Sequence, residues 1–140
     1  MRKLKMLAVL AIAVASCTTE PNQSQQQTPT LDAMTRSSIL TELETNLTEE
    51  MGIPIKYESS EVIQIDNTYY LRARSDAYVT TTMLRVTELG ELVGLGVSCT
   101  SSSCAQSTTG CVPKWVDGTI PTCTKCTEGT KDCKRTFTSG

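Results

Sequence analysis

Six of the seven cysteines in this 140-residue chain fall between positions 99 and 133. Their spacing is C-x4-C-x6-C, eleven residues, then C-x2-C-x6-C. The residues between them are mostly serine, threonine and glycine, with few large apolar side chains. A segment of this size and composition cannot build a hydrophobic core, so it takes its order from covalent or metal cross-links. The way these six sulfurs are used therefore decides what the last third of the chain can become.

Three chemistries compete for Cys99, Cys104, Cys111, Cys123, Cys126 and Cys133. The first is disulfide bonding, which suits a small segment in an oxidising compartment. The second is metal binding, with thiolates holding zinc or an iron–sulfur centre. The chain has no histidine, so any such site would be all-thiolate among Cys and His ligands. The third is a working dithiol at Cys123-Thr124-Lys125-Cys126. A redox C-x-x-C places its first thiolate at a helix N-terminus, and Thr127 and Gly129 after this motif are poor helix formers. The second half of the spacing resembles the fungal binuclear zinc cluster, in which six thiolates hold two zinc ions. The first half departs from it, and the intervening "AQSTTG" carries none of the basic residues with which that family contacts DNA. The family reading is therefore rejected, and the disulfide reading is preferred. A bridge from Cys123 to Cys126 would close a very short loop with little entropic gain. Cys123, Cys126 and Cys133 are accordingly expected to reach back, for the most part, to Cys99, Cys104 and Cys111. The Asp117-Gly118 turn would bring the two halves together.

The N-terminus bears on the compartment. MRKLKMLAVLAIAVASC has a short basic segment, an apolar run too short to span a bilayer, and small residues before Cys17. Val14-Ala15-Ser16-Cys17 resembles a bacterial lipobox. The resemblance implies cleavage before Cys17 and attachment of fatty acid there, with residues 1–16 as a lipoprotein signal peptide. The alternative is an ordinary export signal followed by a chance cysteine. Lipidation also accounts for the odd cysteine count, because it leaves six for pairing. Two or more acyl chains anchor a protein firmly where one does not.

Residues 17–30 form a polar, glutamine-rich stretch with two prolines, which reads as a disordered tether. From 31 to 97 the pattern is that of a small α+β domain. Leu40, Leu43, Leu47 and Met51 recur at helical spacing, with Leu31 and Met34 extending the series upstream. Gly52 suits a helix C-cap and Pro54 bars continuation. Beyond it the apolar residues alternate: Ile53, Ile55 and Tyr57; Ile63 and Ile65; Tyr69, Leu71 and Ala73; Thr80, Thr82, Leu84 and Val86; Val93, Leu95 and Val97. This period predicts half-buried strands, with turns at Asp66-Asn67 and Ser75-Asp76. The expected fold is one N-terminal helix, an antiparallel meander of four or five strands, and a loop-rich Cys-rich module over 98–140. The element order is similar to the cystatin-like layout.

Charge divides the same way. Residues 31–98 carry five basic and eleven acidic side chains, a net of −6, while 99–140 carry five and three, a net of +2. Basic residues are not clustered and aromatics are not interleaved with them, which argues against nucleic acid. Glu42, Glu44, Glu49 and Glu50 read as the solvated face of the helix rather than an acid–base site. Without histidine, hydroxyl nucleophiles lack their usual base, and neither G-x-S-x-G nor a phosphate loop occurs. Trp115, the single tryptophan, is expected to cover a disulfide, with an exposed recognition anchor as the alternative.

The lipobox, the polar tether and the Ser/Thr/Cys-rich tail together resemble small lipoproteins of the Bacteroidota. The resemblance implies a cell-envelope location, in or on the outer membrane, held by the lipid anchor. The expected function is non-enzymatic, a binding or structural module with an envelope protein or glycan as partner and no cofactor. The alternative is a zinc, iron–sulfur or thiol-redox protein that uses the C-terminal cysteines.

Overall fold

The computed structural model describes residues 27–52, 54–105, 110–119, 121–126 and 133–138. Cys17, the segment 1–16 expected to be a signal peptide and the part of the expected tether up to residue 26 lie outside them. Among the described residues, no helix is long and apolar enough to cross a membrane.

Helix α1 spans Ala33–Met51. Asp32 caps it, its Oδ1 accepting from the amides of Met34 at 2.9 Å and Thr35 at 3.0 Å. These satisfy donors that the first helical turn leaves without partners. The helix stops at Gly52, whose φ of 67° is the left-handed C-cap conformation and whose amide bonds Thr48 O. Leu43 and Leu47 are fully buried, with Ile39 and Met51 packed partly behind them. Burying each leucine contributes about 2 kcal/mol. Met34 extends the helix but not its apolar face, since it is 85 % exposed.

The alternation at Ile55 and Tyr57, expected as a strand, has another origin. Ile53 lies outside the described residues, and residues 54–57 belong to no strand. They return along the helix: the Tyr57 amide donates to Glu44 Oε1 at 2.8 Å, and Ile55 packs against Leu43 and Leu47. Glu44 is thus not a freely solvated carboxylate. Its side chain is 23 % exposed and also faces Lys56 at 3.8 Å.

The sheet follows as β1 (Ser59–Ile65), β2 (Thr68–Arg74), β3 (Val79–Val86) and β4 (Leu92–Ser101), each antiparallel to the next. Asp66 and Asn67 join β1 to β2 with φ of 47° and 64°. Two successive left-handed residues make the hairpin turn that matches strand twist. Ser75 closes the next turn, its amide bonding Tyr78 O and its hydroxyl receiving the Tyr78 amide. The tail adds two-residue strands β5 (Pro113–Lys114) and β6 (Thr122–Cys123), which pair with each other, and β7 (Lys134–Phe137). Strand β7 joins the main sheet beside β4, giving the order β1-β2-β3-β4-β7. The helix and antiparallel sheet are as expected, but the fifth strand comes from the Cys-rich tail. β4 itself runs through residue 97, where the α+β domain was expected to end.

Alternation divides the sheet into two faces. Leu71, Leu84 and Leu92 form a buried group on the α1 side, with Val62, Ile39 and Leu40. A polar seam runs beside it: Tyr57 OH donates to Thr80 Oγ1, which is 2.9 Å from Thr100 Oγ1, and Thr82 Oγ1 lies 2.8 Å from Ser98 Oγ. Burial and then the nearby Glu44 charge raise the Tyr57 phenol pKa, against the hydrogen bond to Thr80. The opposite face carries Tyr70, Arg72 and Arg74 of β2, cross-strand from Met83, Thr81 and Val79 of β3. In a half-buried sheet this face would meet water. Instead Tyr70 and Arg72 are 4 % and 1 % exposed, because the tail folds back over them.

Candidate functional site

Three disulfides build the layer that covers this second face. Cys99 pairs with Cys123, Cys104 with Cys126 and Cys111 with Cys133. The Cα–Cα distances are 5.7, 5.7 and 5.6 Å, within the range a bridge requires. Every bridge joins the first trio of cysteines to the second, in sequence order. Cys123 and Cys126 thus have different partners, and among the described residues no helix begins at Cys123. The C-x-x-C lacks the internal bond of a working dithiol.

Cys99 is positioned by β4, facing the tail, and Cys123 by β6. The bridges cluster around Val79, which is fully buried among them. The sulfurs of Cys99, Cys123 and Cys133 lie within 4.8 Å of one another. That grouping has the dimensions of a metal site, but each sulfur is bonded to another sulfur. Metal ligation by cysteine needs the thiolate. The trio is the stacking of two bridges.

Sheet side chains tie the layer down between the bridges. Tyr70 OH donates to Pro113 O at 3.1 Å, and Arg72 Nη2 to Gly110 O at 3.2 Å. Arg74 Nη1 donates to Ala105 O, and Arg135 Nη1, from β7, to Pro121 O at 2.8 Å. The donors are long side chains on the sheet and the acceptors are carbonyls of a segment with little secondary structure. Buried carbonyls need partners, and a loop without strands must take them from side chains. Burial, and then the like charge of Arg74, lowers the Arg72 pKa to about 10. Within the layer, Thr124 exchanges two bonds with Val112: its amide to Val112 O and the Val112 amide to its hydroxyl, each 2.9 Å. Asp117 and Gly118, with φ of 52° and 68°, make the expected turn between β5 and β6.

Two clefts open at the edges of the layers. One, of about 360 Å³, lies between the β1–β2 turn and the β5–β6 hairpin. Ile65, Tyr70, Met83 and Val112 line it, together with the exposed Trp115 and Lys114. The other, of about 310 Å³, lies where α1 meets β3 and β4, between Glu42 and Arg85. Trp115, expected to cover a disulfide, is 50 % exposed and lines the first cleft.

Protein-family models, curated proteins and solved structures gave no match to the chain. The alternation in "TYYLRAR" pointed to Tyr69, Leu71 and Ala73 as the buried set. It missed Tyr70, Arg72 and Arg74, which hold the disulfide layer. The available signal was chemical: long donors at every second position of a strand, in a chain whose tail predicts few strands to pair its carbonyls.

Proposed function

We propose that the chain is a lipid-anchored, non-enzymatic binding or structural module of the bacterial cell envelope. The supporting observation is the disulfide layer. Six cysteines pair at Cα distances suited to bridging and form, with Val79, a buried cluster at the centre of the Cys-rich segment. Such bridges persist outside the cytoplasm. The odd cysteine, Cys17, then sits in the lipobox-like Val14-Ala15-Ser16-Cys17, where acylation would use it. The polar residues 18–30 would hold the folded part away from the membrane. Thr30, the last of them, is pinned to the β3–β4 turn by bonds with Gly90 and Leu92. A tether would thus leave the domain at a defined point.

Two measurements test this reading. Thiol titration of the denatured, non-reduced protein should find no free cysteine from residue 99 onward. Free thiols with bound zinc or iron would support the metal alternative. Cys17→Ser should abolish fatty-acid labelling and signal-peptidase II processing. Continued labelling of that variant would overturn the anchor.

A further inference from the structure

We propose that the cleft between the β1–β2 turn and the β5–β6 hairpin binds an acidic peptide segment through one apolar side chain flanked by carboxylates. The inference rests on the binding-module reading and assigns that module a site.

Four observations lead to this occupant. The floor is apolar, built from Ile65, Met83, Val112 and the ring of Tyr70. Two polar groups beside the floor are engaged: the Tyr70 hydroxyl with Pro113 O and the Thr124 hydroxyl with the Val112 amide. A sugar ring brings a hydroxyl on nearly every carbon and would bury several of them against this apolar floor, whereas an apolar side chain buries none. The volume of about 360 Å³ is at the small end for ligand sites and suits one large side chain with its neighbours better than an oligosaccharide. A methionine in the floor adapts to different apolar shapes.

The mouth supplies the charge selection. Lys114 and Lys125 both line the cleft and are exposed, and among the described residues neither forms an ion pair. Asp66 also lines it, so the described lining is net positive by one charge. Residues 31–98 are net −6, so this mouth is opposite in sign to the domain beneath it. Charge of this kind steers encounter and rejects partners of like sign. Trp115 completes the site. It is a half-exposed aromatic beside a pocket, the residue type that dominates the energetics of recognition surfaces.

Trp115 is also the chain's single tryptophan, so its fluorescence reports on the cleft directly. The oxidised protein is titrated with three probes: acetyl-Glu-Glu-Phe-Glu-Glu amide, acetyl-Lys-Lys-Phe-Lys-Lys amide and an oligogalacturonate. The acidic peptide should give a saturable change in Trp115 emission that weakens as salt rises. The basic peptide and the oligogalacturonate should bind at least about tenfold more weakly. The double variant Lys114→Glu, Lys125→Glu should lose about tenfold or more in affinity for the acidic peptide. Both lysines are exposed, and an unchanged thiol count and thermal midpoint would show that this variant is folded. Equal response to both peptides, preference for the oligogalacturonate, or no saturable response would each overturn the site. None of those results would touch the disulfide and lipid assignments, which the thiol titration and Cys17→Ser decide separately.

Discussion

The two faces of the sheet are covered by opposite means. On one, α1 lays Leu43 and Leu47 against the returning chain at Ile55 and lies over a leucine group made by Leu71, Leu84 and Leu92. That layer forms from local helical preference and apolar burial, with Asp32 and Gly52 closing its ends. On the other, a segment with almost no regular structure is held by three bridges and by side-chain donors from the sheet. A helix carries its own backbone hydrogen bonds and needs only an apolar stripe. An irregular layer must import both its cross-links and its carbonyl partners. The sheet between them therefore has arginine, tyrosine and cysteine on one side where it has leucine and threonine on the other.

The largest test of this contrast is reduction and alkylation of all three bridges. They span 22 to 24 residues each, and a bridge of that length contributes about 3 kcal/mol. Together they approach the whole stability of a small domain, about 5–15 kcal/mol. The urea midpoint should fall further than for any single substitution, with Trp115 emission shifting to that of a solvated indole. A thermal transition unchanged by reduction would show that the helix side stands alone and that the bridged layer is an ornament on it.

The converse experiment is Leu47→Ala. This side chain is completely buried under α1, and its truncation should cost about 2–5 kcal/mol. The bridges should stay formed, with no free thiol in the native variant. Appearance of thiols would mean that the helix layer controls the pairing and that the two faces are not separable in this way.

Tyr57→Phe probes the polar seam beneath the helix. Loss of the hydroxyl that bonds Thr80 should cost about 1 kcal/mol at neutral pH. The sign of its pH dependence follows from the raised phenol pKa, which means that the folded state favours the neutral form. That contribution is fully present below the ordinary value of 10.0 and is lost as pH rises beyond it toward the folded-state value. The wild-type urea midpoint should therefore fall more steeply above pH 10 than that of the variant. Parallel curves would place Tyr57 in a solvated setting instead.

The smallest effect belongs to Asp32→Asn. Asparagine keeps a capping oxygen but does not titrate. Hydrogen bonds from the Thr35 side chain and amide, and from the Met34 amide, hold the Asp32 carboxyl below 3.8. The stabilisation from this carboxylate is present above 3.8 and is lost as pH falls through the lower, folded value. Helix ellipticity followed from pH 5 to pH 2 should show an acid loss in the wild type that the variant lacks. Identical acid limbs would remove the charge of Asp32 from the account of α1.

The sequence by itself determined the local features. Leucines at 40, 43 and 47 and the stop at Gly52 specify α1, because a helix repeats within four residues. Asp66-Asn67 and Asp117-Gly118 specify tight turns, because left-handed backbone is restricted to a few residue types. Even the direction of the bridges, from the second cysteine trio back to the first, was legible, since short loops gain little closure entropy. Only the tertiary structure decided the rest. Six cysteines allow fifteen pairings, and the choice of the in-order one depends on which Cα atoms come within bridging distance. The same applies to β7 beside β4, to the half-exposed Trp115 at a cleft, and to the burial of Arg72. Alternation in β2 marks two faces equally well, but it contains no information about what returns from forty residues away to cover the second. That depends on contacts distant in sequence, which no local period encodes.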